Sequence, residues 1–197
     1  MSRMSQSPAA PWPTRTERPG DVAAVRRINL GAFETAAEAD LVDALREDPG
    51  AWLPGFSFVA LSGEPVESGS GFGEAGSGES GSEAVPVGFA LLSRCHVGDA
   101  PALALAPCAV LPGHQGSGAG STAIRSALEA ARAAGERTVV VLGHPAYYPR
   151  FGFTPCSDFG ISPPPGQEWP REAFLALSLD GGELPGGAVR YAPAFGI

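Results

Sequence analysis

The stretch Ala102–Gly120, ALALAPCAVLPGHQGSGAG, with its continuation Ser121–Ala134, STAIRSALEAARAA, decides the reading of this chain. Its apolar run predicts a strand over Ala102 to Val110, which enters a glycine-rich turn that opens directly into a helix. Ile124, Ala127, Leu128, Ala131 and Ala134 recur at three- and four-residue spacing and form the helix's apolar face. Gly135 is placed to end it, and Thr138 to Leu142 reads as the next strand. Strand, glycine turn and helix together make a cradle for a phosphorylated ligand. The first amides of a helix lack intrahelical acceptors, and the macrodipole adds partial positive charge there. Gly116, Gly118 and Gly120 lack Cβ atoms, so they admit positive φ and a close approach of pyrophosphate to the main chain.

Two nucleotide-binding patterns compete for this turn. The P-loop needs a Gly-Lys-Ser/Thr ending, and the chain contains no lysine. Gly118-Ala119-Gly120-Ser121-Thr122-Ala123 reads as the dinucleotide pattern G-x-G-x-x-A. The strand that follows ends in Gly143-His144-Pro145, with no acidic residue for a ribose hydroxyl, and the segment lies mid-chain after other strands.

Gln115-Gly116-Ser117-Gly118-Ala119-Gly120 matches the Q/R-x-x-G-x-G/A signature with which the GNAT acetyltransferases hold the pyrophosphate of coenzyme A. Leu142 to Phe153, LGHPAYYPRFGF, resembles the segment after the fifth strand of that family, where a tyrosine precedes a Gly-Phe pair; Tyr148 takes that tyrosine's place. Ala32-Phe33-Glu34-Thr35-Ala36-Ala37-Glu38-Ala39-Asp40-Leu41-Val42 and the ending Val189–Phe195 are similar to the YhbS-like branch. His114 stands where an aromatic or basic residue is usual, and His144 where an aspartate is usual. The resemblance spans Thr14 to the C-terminus. It implies an α/β fold with a mixed, mostly antiparallel central sheet flanked by helices, and acetyl-CoA as cosubstrate. It further implies that Gln115, Gly116, Ser117, Gly118, Ala119 and Gly120 hold the pyrophosphate. Main-chain groups around Ala109, Val110 and Leu111 would hold the pantetheine arm where the central strand splays from its neighbour.

With 197 residues the chain has room for one domain and a proper core. A net charge of −8, with arginines scattered and no basic run, argues against nucleic acid and anionic membranes as partners. Cys95, Cys108 and Cys156 are odd in number and widely spaced, which excludes a disulfide framework and a C-x-x-C metal site and predicts reduced thiols. No leader or run long enough to span a bilayer is seen, so a cytoplasmic location is expected.

Met1 to Pro13 is Ser/Pro-rich and is expected to be a disordered tail to a single domain over residues 14–197. A short strand near Thr14 to Glu17 precedes Pro19-Gly20-Asp21, a turn and helix cap. Val22, Val25, Ala32 and Phe33 supply one helix face, and a second helix is expected from Thr35 to Glu47. Phe56 to Leu61 and Val85 to Ser93 read as strands of a hairpin. Their link, Ser62 to Ala84, is almost entirely Gly, Ser and Glu and is expected to be mobile. The Ser162–Gly166 proline loop is expected to border the acceptor pocket, ahead of a strand at Ala173 to Leu179.

Acetyl transfer to an amine needs a neutral nucleophile, an oxyanion donor and an acid for the departing thiolate. Tyr148 is the residue expected to be that acid, against a packing role beneath the Phe151-Gly152-Phe153 turn, with Tyr147 the weaker candidate. The general base is open between Glu38, His144 and water. Thr35-Ala36-Ala37-Glu38 also forms a capping box, which by itself accounts for Glu38. His114 is expected to hydrogen-bond at the phosphate turn, His144 to satisfy its loop, and His96 carries nothing beyond its place near a strand end. The resemblance, with these residues in those places, implies an N-acetyltransferase acting on a small-molecule or peptide amine in a ternary complex, without metal. A non-catalytic acyl-CoA sensor on the same fold is the alternative.

Overall fold

In the computed structural model, which describes residues 12–62 and 84–197, the chain folds around a sheet of nine strands with helices on both faces. Strands β1 (Thr14–Thr16), β2 (Ser57–Ser62), β3 (Val85–Val97) and β4 (Ala100–Val110) form an antiparallel succession. β5 (Thr138–Leu142) pairs parallel with β4. β8 (Phe174–Ser178) runs antiparallel to β5 and to β6 (Thr154–Pro155). β9 (Gly187–Arg190) closes on the far end of β3 and on β7 (Ile161–Ser162). The mixed, mostly antiparallel sheet is the one the sequence implies.

Side chains alternate across the sheet because the strand period is two. On β3, Ala90 and Leu92 face helix α3 (Ala119–Ala133), whose Ile124, Ala127, Leu128 and Ala131 lie against them. Phe89 and Leu91 face the other way, toward Val25 and Ile28 of α1 (Val22–Ala32) and Val42 and Leu45 of α2 (Ala37–Glu47). Each large side chain so buried contributes roughly 1.5–3 kcal/mol of transfer free energy. The α1 face differs from expectation: Val25, Ile28 and Asn29 are buried, whereas Val22 is 38% exposed. Asp21, buried ahead of α1, accepts from the Arg15 guanidinium and from the Arg18 amide.

α2 starts at Ala37 rather than Thr35, and no capping box forms. Thr35 Oγ1 accepts only from the Ala37 amide at 3.3 Å, and Glu38 does not reach back to it. The β2–β3 hairpin pairs down to Ser62 opposite Val85, and β3 continues past the expected Ser93 to Val97. The expectations for residues 1–11 and 63–83 lie outside the described residues. Trp12 and Pro13, assigned by sequence to the tail, are held: Pro13 O accepts from the Leu61 amide, and Trp12 Nε1 donates to Ser117 O. Among the described residues no helix is long and apolar enough to cross a membrane.

Candidate functional site

The site originates in a break in the sheet. β4 pairs with β5 only at Leu103–Val139 and Ala104–Val140, yet it stays on β3 as far as Val110. Between these regions the β3–β4 register shifts: Leu92 faces Leu105 and Ala90 faces Cys108, a bulge that accommodates Ala106 and Pro107. Pro107 has no amide to donate to a neighbouring strand. Beyond it β5 diverges, and a gap opens along the outer edge of β4.

Ladder alternation determines which main-chain groups face this gap. The Leu111 amide donates to Val87 O, and Ala109 stands opposite Phe89, so both face β3. Val110, between them, turns its N–H and C=O toward the gap. Of the three residues expected to present free backbone, Val110 faces the gap, Ala109 pairs on the sheet, and Leu111 spends its amide on β3 and its carbonyl on the His114 amide. The Val110 carbonyl accepts from Gln115 Nε2 at 3.1 Å. Leu111 packs toward Gly31 of α1 and does not line the cleft.

At the far end of the gap the glycine turn leads into α3. Gly116 and Gly118 hold positive φ of 72° and 97°, a region unfavourable to residues with a Cβ, and Gly118 is the residue at which the helix begins. The amides of Ala119, Gly120 and Ser121 therefore lack intrahelical acceptors, and the first turn holds no acidic side chain to compete for them. A Cβ on Gly120 would lie 2.9 Å from Val110 Cγ2 and 3.4 Å from the Tyr147 hydroxyl, so the close approach is possible only with glycine. Ser117 turns away from the cleft: its hydroxyl donates to His114 O and its carbonyl accepts from Trp12. The imidazole of His114 stacks edge-on with Trp12 at 5.8 Å, and its Nδ1 is buried without a partner among the described residues.

The cleft so formed holds about 400 Å³ and runs from Gly116–Gly120 along Val110 to Tyr148. Arg150 supplies its guanidinium cation, stacked 4.4 Å over the Tyr147 ring, while the Tyr147 hydroxyl meets Ser121 Oγ at 3.1 Å. Neither role was legible in the sequence, where Arg150 is one of 13 scattered arginines. A second cavity of about 420 Å³ opens on the other side of the break. Phe33, Cys108, His144 and Tyr148 line both, so these four stand at the neck where the cavities meet. Trp169 and Phe195 line the second cavity, whereas the Ser162–Gly166 loop expected there does not.

Tyr148 is positioned by close packing. Its ring covers Gly143, where a Cβ would lie 2.2 Å from Cε2, and meets Phe153 edge-on at 5.9 Å. The Cys108 thiol beside it, and then burial, hold its hydroxyl well above the usual tyrosine range, so it stays protonated and able to donate. Burial pushes the Cys108 thiol up to about 12, partly offset by the Tyr148 hydroxyl. This neutral thiol is the half-buried neighbour of the Tyr148 hydroxyl, not a poised nucleophile. His144 stands at the neck, and its carbonyl accepts from the Tyr147 amide. Glu38 lines the second cavity, and its Oε2 is buried and unpartnered among the described residues.

Three comparisons agree with this arrangement. Residues 33–153 match the model of the acetyltransferase (GNAT) family. An Escherichia coli K12 protein described as "Uncharacterized N-acetyltransferase YjhQ" is 36% identical over 165 residues, covering 81% of this chain and 80% of that protein. The structure of the E. coli GNAT family N-acetyltransferase YhbS in complex with CoA superposes with a TM-score of 0.75 at 27% identity, covering 98% of this chain and 97% of that one. A Brucella melitensis GNAT family acetyltransferase in complex with acetyl-CoA gives 0.65 at 31% identity, covering 92% and 96%. The strand break, the glycine cradle at the start of α3 and the tyrosine at the neck thus occur in a chain that belongs to the GNAT acetyltransferase family.

Proposed function

We propose that this chain transfers an acetyl group from acetyl-CoA to an amine by direct attack in a ternary complex. The observation that carries the reading is the pair of cavities meeting at Tyr148, one running to the start of α3 and the other lined by apolar side chains and Glu38. The residues fit an acyl-CoA: the α3 amides and Arg150 offer positive charge to a pyrophosphate, and Gly120 leaves the space a Cβ would fill. Val110 offers one donor and one acceptor to an amide-bearing pantetheine arm, in the manner of an added strand. Gln115, bonded to that acceptor, gives way when the arm pairs there.

The chemistry at the neck follows from what each group can hold. An amine delivered from the second cavity adds its lone pair to the thioester carbonyl, and the carbon–sulfur bond breaks. Tyr148 gives its proton to the departing sulfur, and the proton released by the nitrogen passes through Glu38, His144 or water, from which Tyr148 is reprotonated. The protonated state of Tyr148 keeps it loaded as an acid across the neutral range. The acetyltransferase fold with two relatives holding CoA or acetyl-CoA supports acetyl-CoA as the cosubstrate.

Calorimetric titration of the full chain with acetyl-CoA, followed by thiol-release assays on an amine panel, tests the reading. Saturable micromolar binding, with turnover that falls at least a hundredfold in Tyr148→Phe while acetyl-CoA affinity holds, is expected. Binding without turnover on any amine would make the chain an acyl-CoA sensor, and absence of binding would overturn the reading altogether.

A further inference from the structure

We infer that the second cavity selects a primary amine carried on an apolar, aryl-alkyl body without an anionic group. This rests on the acetyl-transfer reading and names the substrate class of that same site. The walls are Leu41, Leu105, Trp169, Tyr191 and Phe195, drawn from α2, β4 and three C-terminal segments. At about 420 Å³ the cavity falls within the range of small-molecule sites, about 300–1,000 Å³. Such walls reward burial of an apolar body and offer few partners to a hydroxyl-rich one, whose polar groups would lose water without replacement.

Among the described residues lining this cavity Glu38 is the one with a carboxylate side chain, and its Oε2 is shielded from solvent with no hydrogen-bond partner. A carboxylate oxygen in that position has given up hydration and received nothing in exchange. An ammonium N–H supplies the missing bond in its strongest, charge-assisted form. Among the described residues no arginine lines this cavity, and the chain contains no lysine. An acceptor bearing a carboxylate or phosphate would therefore meet Glu38 with no arginine or lysine to offset it, which discriminates by repulsion as well as by attraction. Glu38 also sits on the same cavity that reaches Tyr148 and His144 at the neck, so an amine held there has a route to the thioester.

The test uses the full chain saturated with acetyl-CoA and three probe amines: 2-phenylethylamine, phenylalanine, which adds a carboxylate to the same body, and spermidine, which is cationic without an aryl group. Thiol release is expected to give 2-phenylethylamine a kcat/KM at least tenfold above either of the others. Glu38→Gln, which preserves shape, is expected to raise KM for 2-phenylethylamine at least tenfold and leave the calorimetric Kd for acetyl-CoA unchanged. Trp169→Ala should weaken 2-phenylethylamine and leave spermidine unaffected. Preference for phenylalanine or spermidine, or an unchanged KM in Glu38→Gln, overturns this inference while acetyl transfer stands. Failure to bind acetyl-CoA overturns both.

Discussion

Replacing Gly143 by alanine is a test of Tyr148 that never touches the tyrosine. Gly143 does not hold positive φ, so alanine adopts its backbone without strain, and the change acts through the added methyl alone. That Cβ falls 2.2 Å from Tyr148 Cε2, 3.0 Å from Cδ2 and 3.1 Å from Cζ, against ordinary contact from 3.4 Å. The ring must withdraw by roughly 1.2 Å, and its hydroxyl moves with it. A misplacement of about 1 Å at a reacting group costs on the order of a hundredfold, or about 2.7 kcal/mol of barrier. Thiol-release kinetics should therefore show kcat down about a hundredfold in Gly143→Ala, with the acetyl-CoA Kd within about threefold of wild type. The melting temperature should stay within about 4 °C, because the lost backbone freedom of the unfolded chain offsets part of the ring's displacement. In a Tyr148→Phe background the same substitution should add less than about twofold, since no hydroxyl remains to be misplaced. A kcat within threefold of wild type, or a full hundredfold effect in the Tyr148→Phe background, refutes the proposed route through the hydroxyl.

Gly120→Ala places its methyl 2.9 Å from Val110 Cγ2, so calorimetry should show acetyl-CoA affinity lowered at least tenfold, about 1.4 kcal/mol, with the fold intact. Burial raises the thiols of Cys95, Cys108 and Cys156 to about 12, so a thiol reagent at pH 8 should label the native protein slowly and all three cysteines quickly in urea. Because these folded values lie above the ordinary value of 9.0, their contribution is complete below pH 9 and is lost as pH rises toward 12, which urea midpoints across that range should record. Hydrogen bonding from Arg15 holds the Asp21 carboxyl below its usual range, so its stabilisation is present above about pH 4 and fades as pH falls through the lowered value. Asp21→Asn should cost about 2 kcal/mol at neutral pH and flatten that acid limb in denaturation curves.

Local sequence determined the elements whose physics is local. The strand from Ala102, the glycine turn, the helix closed near Gly135 and the strand Thr138–Leu142 each follow from periodicity and backbone freedom, and all stand within two residues of expectation. The cradle was legible for the same reason: amides at a helix start and glycines with positive φ need no distant partner. Tertiary structure decided everything that depends on what lies across the molecule. Which of Ala109, Val110 and Leu111 faces the gap was set by register against β3, and a shift of one residue would reverse it. Glu38 satisfied a local capping pattern, yet α2 begins at Ala37 and places Glu38 on the wall of a cavity shared with side chains from the other end of the chain. Trp12, Arg150, Trp169 and Phe195 carry no local signal, because their roles arise only where segments far apart in sequence converge. The chain alone therefore marked where helix-start amides and glycines come together, while the break between β4 and β5 settled where the two cavities meet.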